Sequence, residues 1–530
     1  MISESIISNR LKLCLESCLE IAGHEGLDVI ISAINGVIAN MNAPMQLAII
    51  GKVSSSKSTI VNTILGQADV VGTGVMEETY NVSWLKYGPS DSDVKVVFKD
   101  GSVKTVARSD WKSWSGQEEM ALKDKVKYLE VMFEHEMLKI INIIDTPGLD
   151  SMKGADSRNT IEFLHDVQPD AVLLVFTKGL AQSTLDVVKE FQGEGVNQFH
   201  LSPLNAVGIM AKTDYLWHIK NPDVIPGQEG WNVIRNNIYE LFPEIKDSLY
   251  EILPFCALLG LASYTLDSRD VDLLEKLAKT EEKDLHEMFF SVSDFIDESY
   301  KTDISAEERE YLCKKFGLYG IYEALVNVRV GGRSQESLKR LFREISGMDE
   351  FEKCLYAHFG QRSFLIKTQN SSQIISRACD EQRKIIKNPA ALSAIDDIQE
   401  KILSCLMGIF EYRQLDFLNK IYEHEIKVTD ECAIEEYKRV CGEYGASVVE
   451  KLNVSNGTSA ADLEKIAAER SRECNARYQM EYYKSRENSE LFRMLASSYD
   501  HLAKDIHEID VKTREAEKLI KMYNSFLYGK

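Results

Sequence analysis

The chain has 530 residues, 44% hydrophobic and 27% charged, with 83 acidic against 62 basic side chains and a formal net charge of −21. That balance excludes a general nucleic-acid binder, because Lys and Arg must replace the counterions on phosphate, and it opposes broad electrostatic attachment to anionic lipid. The length fits about two to four domains; ten prolines and thirty glycines leave room for long helices; no 18-residue apolar run predicts a membrane-spanning helix.

Residues 1–42 carry a helical apolar pattern through Leu11, Leu15, Cys18, Leu19 and Ala22, then Ile30, Ile34 and Val37. The apolar run Met45–Ile50 then predicts a buried strand. It leads into Gly51-Lys52-Val53-Ser54-Ser55-Ser56-Lys57-Ser58-Thr59. A strand that ends in such a turn and opens a helix aims backbone N–H groups at one spot, a phosphate cradle. Lys57 can reach the terminal phosphates, and the Ser58 hydroxyl can ligate Mg²⁺. Ser56 stands where Gly is usual, at a position where backbone approaches phosphate and φ can be positive.

Further along, Val71 to Val82 hold a glycine-containing loop before a strand-like run. Thr79 is assigned the role of closing over Mg²⁺ and the γ-phosphate, with Thr73 as the alternative. The run Leu138–Ile144 ends in Asp145-Thr146-Pro147-Gly148. Asp145 would hold Mg²⁺ through a water, and the Gly148 N–H would sense the γ-phosphate, since open α/β sheets bind ligands at strand carboxyl ends. A third strand, Leu204–Ala211, ends in Lys212-Thr213-Asp214. The Asp214 carboxylate can accept two N–H donors from guanine that adenine lacks, with Lys212 over the base plane; this opposes an ATPase. After Ile252–Phe255, a backbone N–H at Cys256-Ala257 can meet guanine O6. Four weak motifs in this order, each after a strand, predict a GTP/GDP site with Mg²⁺ in a doubly wound, mainly parallel α/β domain.

Residues 266–345 read as acidic helices, and 346–530 as helix-compatible throughout, with breaks at Lys387-Asn388-Pro389 and Asn453–Ser459. The last stripe, Leu491, Leu495, Leu502, Ile506, Ile509, Leu519 and Ile520, reads as bundle core. So does the short apolar run Leu406–Phe410. Glu134-His135-Glu136 and Glu423-His424-Glu425 do not complete a zinc motif, and on a strand each histidine would face away from its glutamates, so no metal site is expected there. Ten cysteines without a CxxC pair fit a reducing cytoplasm.

The set Gly51…Lys57-Ser58-Thr59, Thr79, Asp145–Gly148 and Lys212-x-Asp214 resembles the GTPase domain of the dynamin superfamily. The stretches Phe316-Gly317-Leu318-Tyr319-Gly320-Ile321, Ser346–Phe351 and His358–Lys367 resemble the linker-to-stalk region of bacterial dynamin-like proteins of the isoniazid-inducible type. The resemblance covers residues 45–370. It implies an N-terminal helix (1–42) packed on the neck, a GTPase domain (43–265), a helical neck (266–370) and a helical stalk (371–530). It also implies pairing through the GTPase domains, a cytoplasmic protein that can sit peripherally on the inner membrane, and stalk-mediated membrane remodelling or tethering. The alternative is a soluble GTP-dependent assembly protein acting on a protein partner, such as a second dynamin-like protein. In the family cradle a Gln-Ser pair places the attacking water and holds a monovalent cation. Here Ser54 carries over, while Val53 and Leu149 cannot orient water. Slow hydrolysis is expected.

Overall fold

The computed structural model describes residues 2–68, 70–71, 81–111, 114, 125–148, 163–164, 167–177, 202–243, 245–445 and 447–528. The chain forms two compact units: residues 42–354, and residues 1–41 together with 355–530. Helices α1 (Ile2–Glu25) and α2 (Asp28–Asn40) open the chain and belong to the second unit.

The first unit is built on a nine-stranded sheet in the order β4-β3-β5-β2-β6-β1-β7-β8-β9. The strands are β1 (Met45–Gly51), β2 (Ser83–Tyr87), β3 (Val94–Phe98), β4 (Val103–Val106), β5 (Val126–Phe133), β6 (Ile141–Asp145), β7 (Ala171–Phe176), β8 (Ala206–Ala211) and β9 (Glu251–Phe255). The five strands from β6 to β9 in that order run parallel. Every residue of β6, β7 and β8 is buried, the near-continuous apolar pattern that a sheet covered on both faces demands. The far side is mixed, with β2 antiparallel to β6 and β3 antiparallel to β4 and β5. Register pairs Ile49 with Asp145 and Ala211 with Phe255. The carboxyl ends that carry Gly51, Asp145, Lys212 and Cys256 therefore share one edge of the sheet, and β1 stands where the connections diverge to either side.

The helices from residue 266 to residue 354 belong to this same compact unit. Helix Ala257–Thr265 follows β9. Against it lie Ala306–Arg329 and Gln335–Ser346, and Ser268–Leu277 packs on Ala306–Arg329, around a shared core of Leu259, Leu274, Phe295, Leu312, Phe316 and Phe342. Capping boxes at Asp267/Asp270 and Ser305/Glu308 fix two of the starts, satisfying N–H groups that have no intrahelical partner. Gly347, at φ 78°, ends the last of them in the left-handed conformation that glycine supplies.

In the helical unit, α1 packs on Pro389–Met407 and α2 on Gln361–Ile385. Leu15, Cys18, Ile30, Ile34, Cys379, Ile395 and Ile398 form the shared core. Pro389 sits at the first helical position behind the Asn388 cap, where its missing N–H costs nothing. Leu406 and Ile409 are buried, so that apolar run is core. Ala460–Glu481 and Arg486–Tyr528 pair as a hairpin. Leu491, Leu495, Leu502 and Ile506 are buried in it, but Ile509 and Leu519 are 62% and 66% exposed, so the core stripe stops short of the expected length. The partner helix has no residues left to cover them. Among the described residues, no helix is long and apolar enough to cross a membrane.

Candidate functional site

The cradle is a product of local backbone. β1 delivers Gly51 against β7, where a Cβ would lie 2.2 Å from the Val175 carbonyl oxygen, so only glycine fits. The loop then turns through two left-handed residues, Ser54 at φ 57° and Ser56 at φ 76°. Ser56 thus adopts the conformation that explains the usual glycine, at a cost of order 1 kcal/mol. Helix α3 (Lys57–Ile64) begins at the next residue. The buried Lys57 Nζ donates to the carbonyls of Gly51 at 3.0 Å and Lys52 at 2.8 Å, which folds the ammonium back over the loop. Further along α3, the Asn62 side chain bonds both backbone groups of Val71.

Ser58, in the first turn of α3, and Asp145, the last residue of β6, meet: the Ser58 Oγ lies 3.4 Å from Asp145 Oδ2. Asp145 Oδ1 is buried and has no hydrogen-bond partner, and neither does the Ser55 hydroxyl. A carboxylate oxygen and a serine hydroxyl side by side, with an orphaned second oxygen, are the hard oxygen donors that Mg²⁺ takes. The residues present fit that ion. Thr146 Oγ1 donates to the Ile49 carbonyl at 2.7 Å and ties the two strand ends. Gly148 lies against Val53: a Cβ on Gly148 would sit 2.3 Å from Val53 Cγ2. An isopropyl group therefore occupies the place beside the expected γ-phosphate sensor.

Burial pushes the Asp145 carboxyl up to about 6, against the pull of the Lys57 charge and the Ser58 hydroxyl. Its folded value lies above the unfolded one. The charged form therefore destabilises the fold, with a cost that is absent below the unfolded value and complete once pH has risen through about 6. Replacing Asp145 with Asn should stabilise the nucleotide-free protein by up to ~3 kcal/mol at about pH 8, with the gain vanishing toward about pH 4. Thermal melts of both proteins across that range check it.

At the other end, Lys212 leaves β8 at φ 58° and caps a short 3₁₀ turn that holds Asp214. Lys212 Nζ lies 5.6 Å from the Tyr215 ring centroid. Asp214 is buried, which pushes its carboxyl up, and its Oδ1 accepts from the Cys256 thiol at 3.3 Å. The Cys256 backbone N–H is engaged by the Ser346 carbonyl at 2.9 Å. Of the expected pair Cys256-Ala257, that leaves Ala257, the first residue of its helix, as the backbone donor. Thr79, Thr73 and Leu149 lie outside the described residues.

These two ends belong to one cleft of about 1280 Å³, which runs from the 53–59 loop past Gly148 to Lys212 and Asp214. Its base-side wall also includes Phe290, Tyr311, Gly317 and Leu318, residues the sequence reading did not place in the site. The sequence holds Phe316-Gly317-Leu318, but nothing local to that stretch says what it packs against.

Residues 47–190 match the family model described as "Dynamin family". Over 427 residues the chain is 23% identical to the isoniazid-induced protein IniC of Mycobacterium tuberculosis, spanning 79% of this chain and 82% of that protein. This chain carries a dynamin-family domain over residues 47–190. It is of the bacterial dynamin-like type, and it is also 27% identical over 153 residues to dynamin-like protein 2 of Campylobacter jejuni, across 29% of this chain and 24% of that one. Among solved structures it is similar to an oligomerised bacterial dynamin pair, described as sensing and tethering membranes. That likeness is 17% identical with a TM-score of 0.32 and covers 100% of this chain and 80% of that one. A dynamin-family domain implies GTP or GDP as ligand, Mg²⁺ as its ion, and GTP hydrolysis as the reaction.

Proposed function

We propose that this dynamin-like protein binds Mg²⁺·GTP in the cleft and hydrolyses it slowly, faster when two copies pair through their nucleotide-binding units. The observation that carries the reading is the shared edge: Lys57 and Ser58 stand at one end of a single cleft, with Asp145 beside Ser58, and Asp214 stands at the other. In this reading Gly51 and the backbone of Ser54, Ser55, Ser56 and Thr59 cradle the phosphates. Lys57 swings from its two carbonyls to the β- and γ-phosphates. Ser58, Thr79 and, through a water, Asp145 would hold Mg²⁺, and the ion would supply charge to neutralise the phosphates. The Gly148 N–H senses the γ-phosphate, Ser54 helps hold a monovalent cation, Lys212 covers the base, and Asp214 with Ala257 reads it. No side chain at Val53 can orient water, so positioning and electrostatics alone drive the reaction.

We place the nucleotide-binding part at residues 42–354 and assembly in the helical unit. That unit would couple GTP-driven pairing to tethering or remodelling of a membrane to which the protein binds peripherally. The second reading, a GTP-dependent assembly protein acting on a protein partner, is favoured by the net charge of −21, which supplies no broad attraction to anionic lipid.

GTP turnover measured against protein concentration, with and without anionic liposomes, tests both. Specific activity should rise with concentration and vanish in Lys57→Ala. Liposome stimulation supports the membrane reading, and its absence supports the protein-partner reading. Concentration-independent turnover would remove pairing from either.

A further inference from the structure

The helix Ala306–Arg329 is broken inside. Gly317 has φ 65° and ψ 168°, a backbone region essentially closed to any residue with a Cβ. The break is held from both sides by buried rings. Phe316 stacks on Phe342 with centroids 5.0 Å apart, and Tyr319 packs 5.8 Å from Trp217. Trp217 closes the same 3₁₀ turn that carries Asp214. Gly320 sits tight on Leu259, where a Cβ would come within 2.3 Å of Leu259 Cδ2. The bare Cα of Gly317 faces the base-reading carboxylate: a Cβ there would lie 3.3 Å from Asp214 Oδ2. The opposite oxygen, Oδ1, is already held by the Cys256 thiol at 3.3 Å.

We propose that Gly317 is a positioning residue for guanine recognition: the helix break sets the orientation of the Asp214 carboxylate and, with Leu318, forms the base-side wall of the nucleotide cleft. The segment Phe316–Ile321 is thereby part of the nucleotide site. A two-point contact with guanine needs both carboxylate oxygens aligned with N1–H and the exocyclic amine. One oxygen is fixed by the thiol, and the other has its space defined by an atom that Gly317 lacks. The inference rests on Asp214 reading guanine.

The test compares GTP with ITP, which lacks the exocyclic amine. The wild-type protein should bind GTP about tenfold more tightly than ITP, the worth of one bond to a charged acceptor. Gly317→Ala should cut that ratio to about twofold, because a turned carboxylate keeps one contact at most. Gly331→Ala is the control. Gly331 also has positive φ, at 101°, but open space around its Cα, so the variant carries backbone strain away from the cleft and should keep the wild-type ratio. An equal loss of GTP and ITP binding in Gly317→Ala would make the glycine merely structural and overturn the proposal. A wild-type protein with no GTP-over-ITP preference would instead sink the reading of Asp214. Should Gly317→Ala fail to fold, hydrogen exchange on the wild-type protein decides: GDP must protect the amides of 316–321 more than IDP does, and equal protection ends the proposal.

Discussion

Asp214→Asn should lower GTP affinity by about 100-fold while raising XTP affinity by a similar factor, read by competition with a fluorescent guanine nucleotide. A carboxylate only accepts, and guanine offers it two donors. An asparagine accepts at one atom and donates at the other, which matches the N1–H and 2-oxo edge of xanthine. The burial of Asp214 makes the swap large, because a mismatched donor in that position finds no water to compensate. Loss of binding to both nucleotides would mean the turn had unfolded. Unchanged GTP affinity would mean that the base lies elsewhere in the cleft.

Arg309 should be a costly position for folding in the first unit. It is 2% exposed, and it donates to the carbonyls of Phe295 at 2.7 Å, Asp297 at 2.7 Å and Ile304 at 3.1 Å, and to the Thr302 hydroxyl at 2.8 Å. One guanidinium thus closes the whole 295–304 connection, which has no strand or long helix to satisfy its backbone. Arg309→Met keeps the volume but strands those acceptors away from water. A loss of about 3–5 kcal/mol is expected in urea unfolding. Arg329→Met is the comparison. That side chain bonds the carbonyls of Ala278 and Thr280 from an exposed position, and water replaces it there. Its loss should stay under about 1 kcal/mol. Equal effects would show that burial, rather than the number of bonds, had been misjudged.

The chain by itself determined the cradle, Asp145, Lys212-x-Asp214 and the alternation of strands and helices. Each of these is a strand end plus the few residues that follow it, and a strand end aims its own backbone, so spacing along the sequence is enough. The left-handed Ser56 belongs to this class: the position asked for positive φ whichever residue filled it. What only the tertiary structure decided joins residues far apart in the chain. Helices from 266 to 354 join the first unit because their apolar faces form one core with the helix after β9, not because any local signal marks a boundary at 354. The Cys256 thiol on Asp214, the Ser346 carbonyl on the Cys256 N–H, and Gly317 against Asp214 Oδ2 are likewise contacts between separate elements. The same holds in the helical unit, where Ile509 and Leu519 continue the helical stripe but are exposed, because the partner helix ends before it reaches them. Periodicity states which face of an element is apolar. Only packing states which element covers it, and how far.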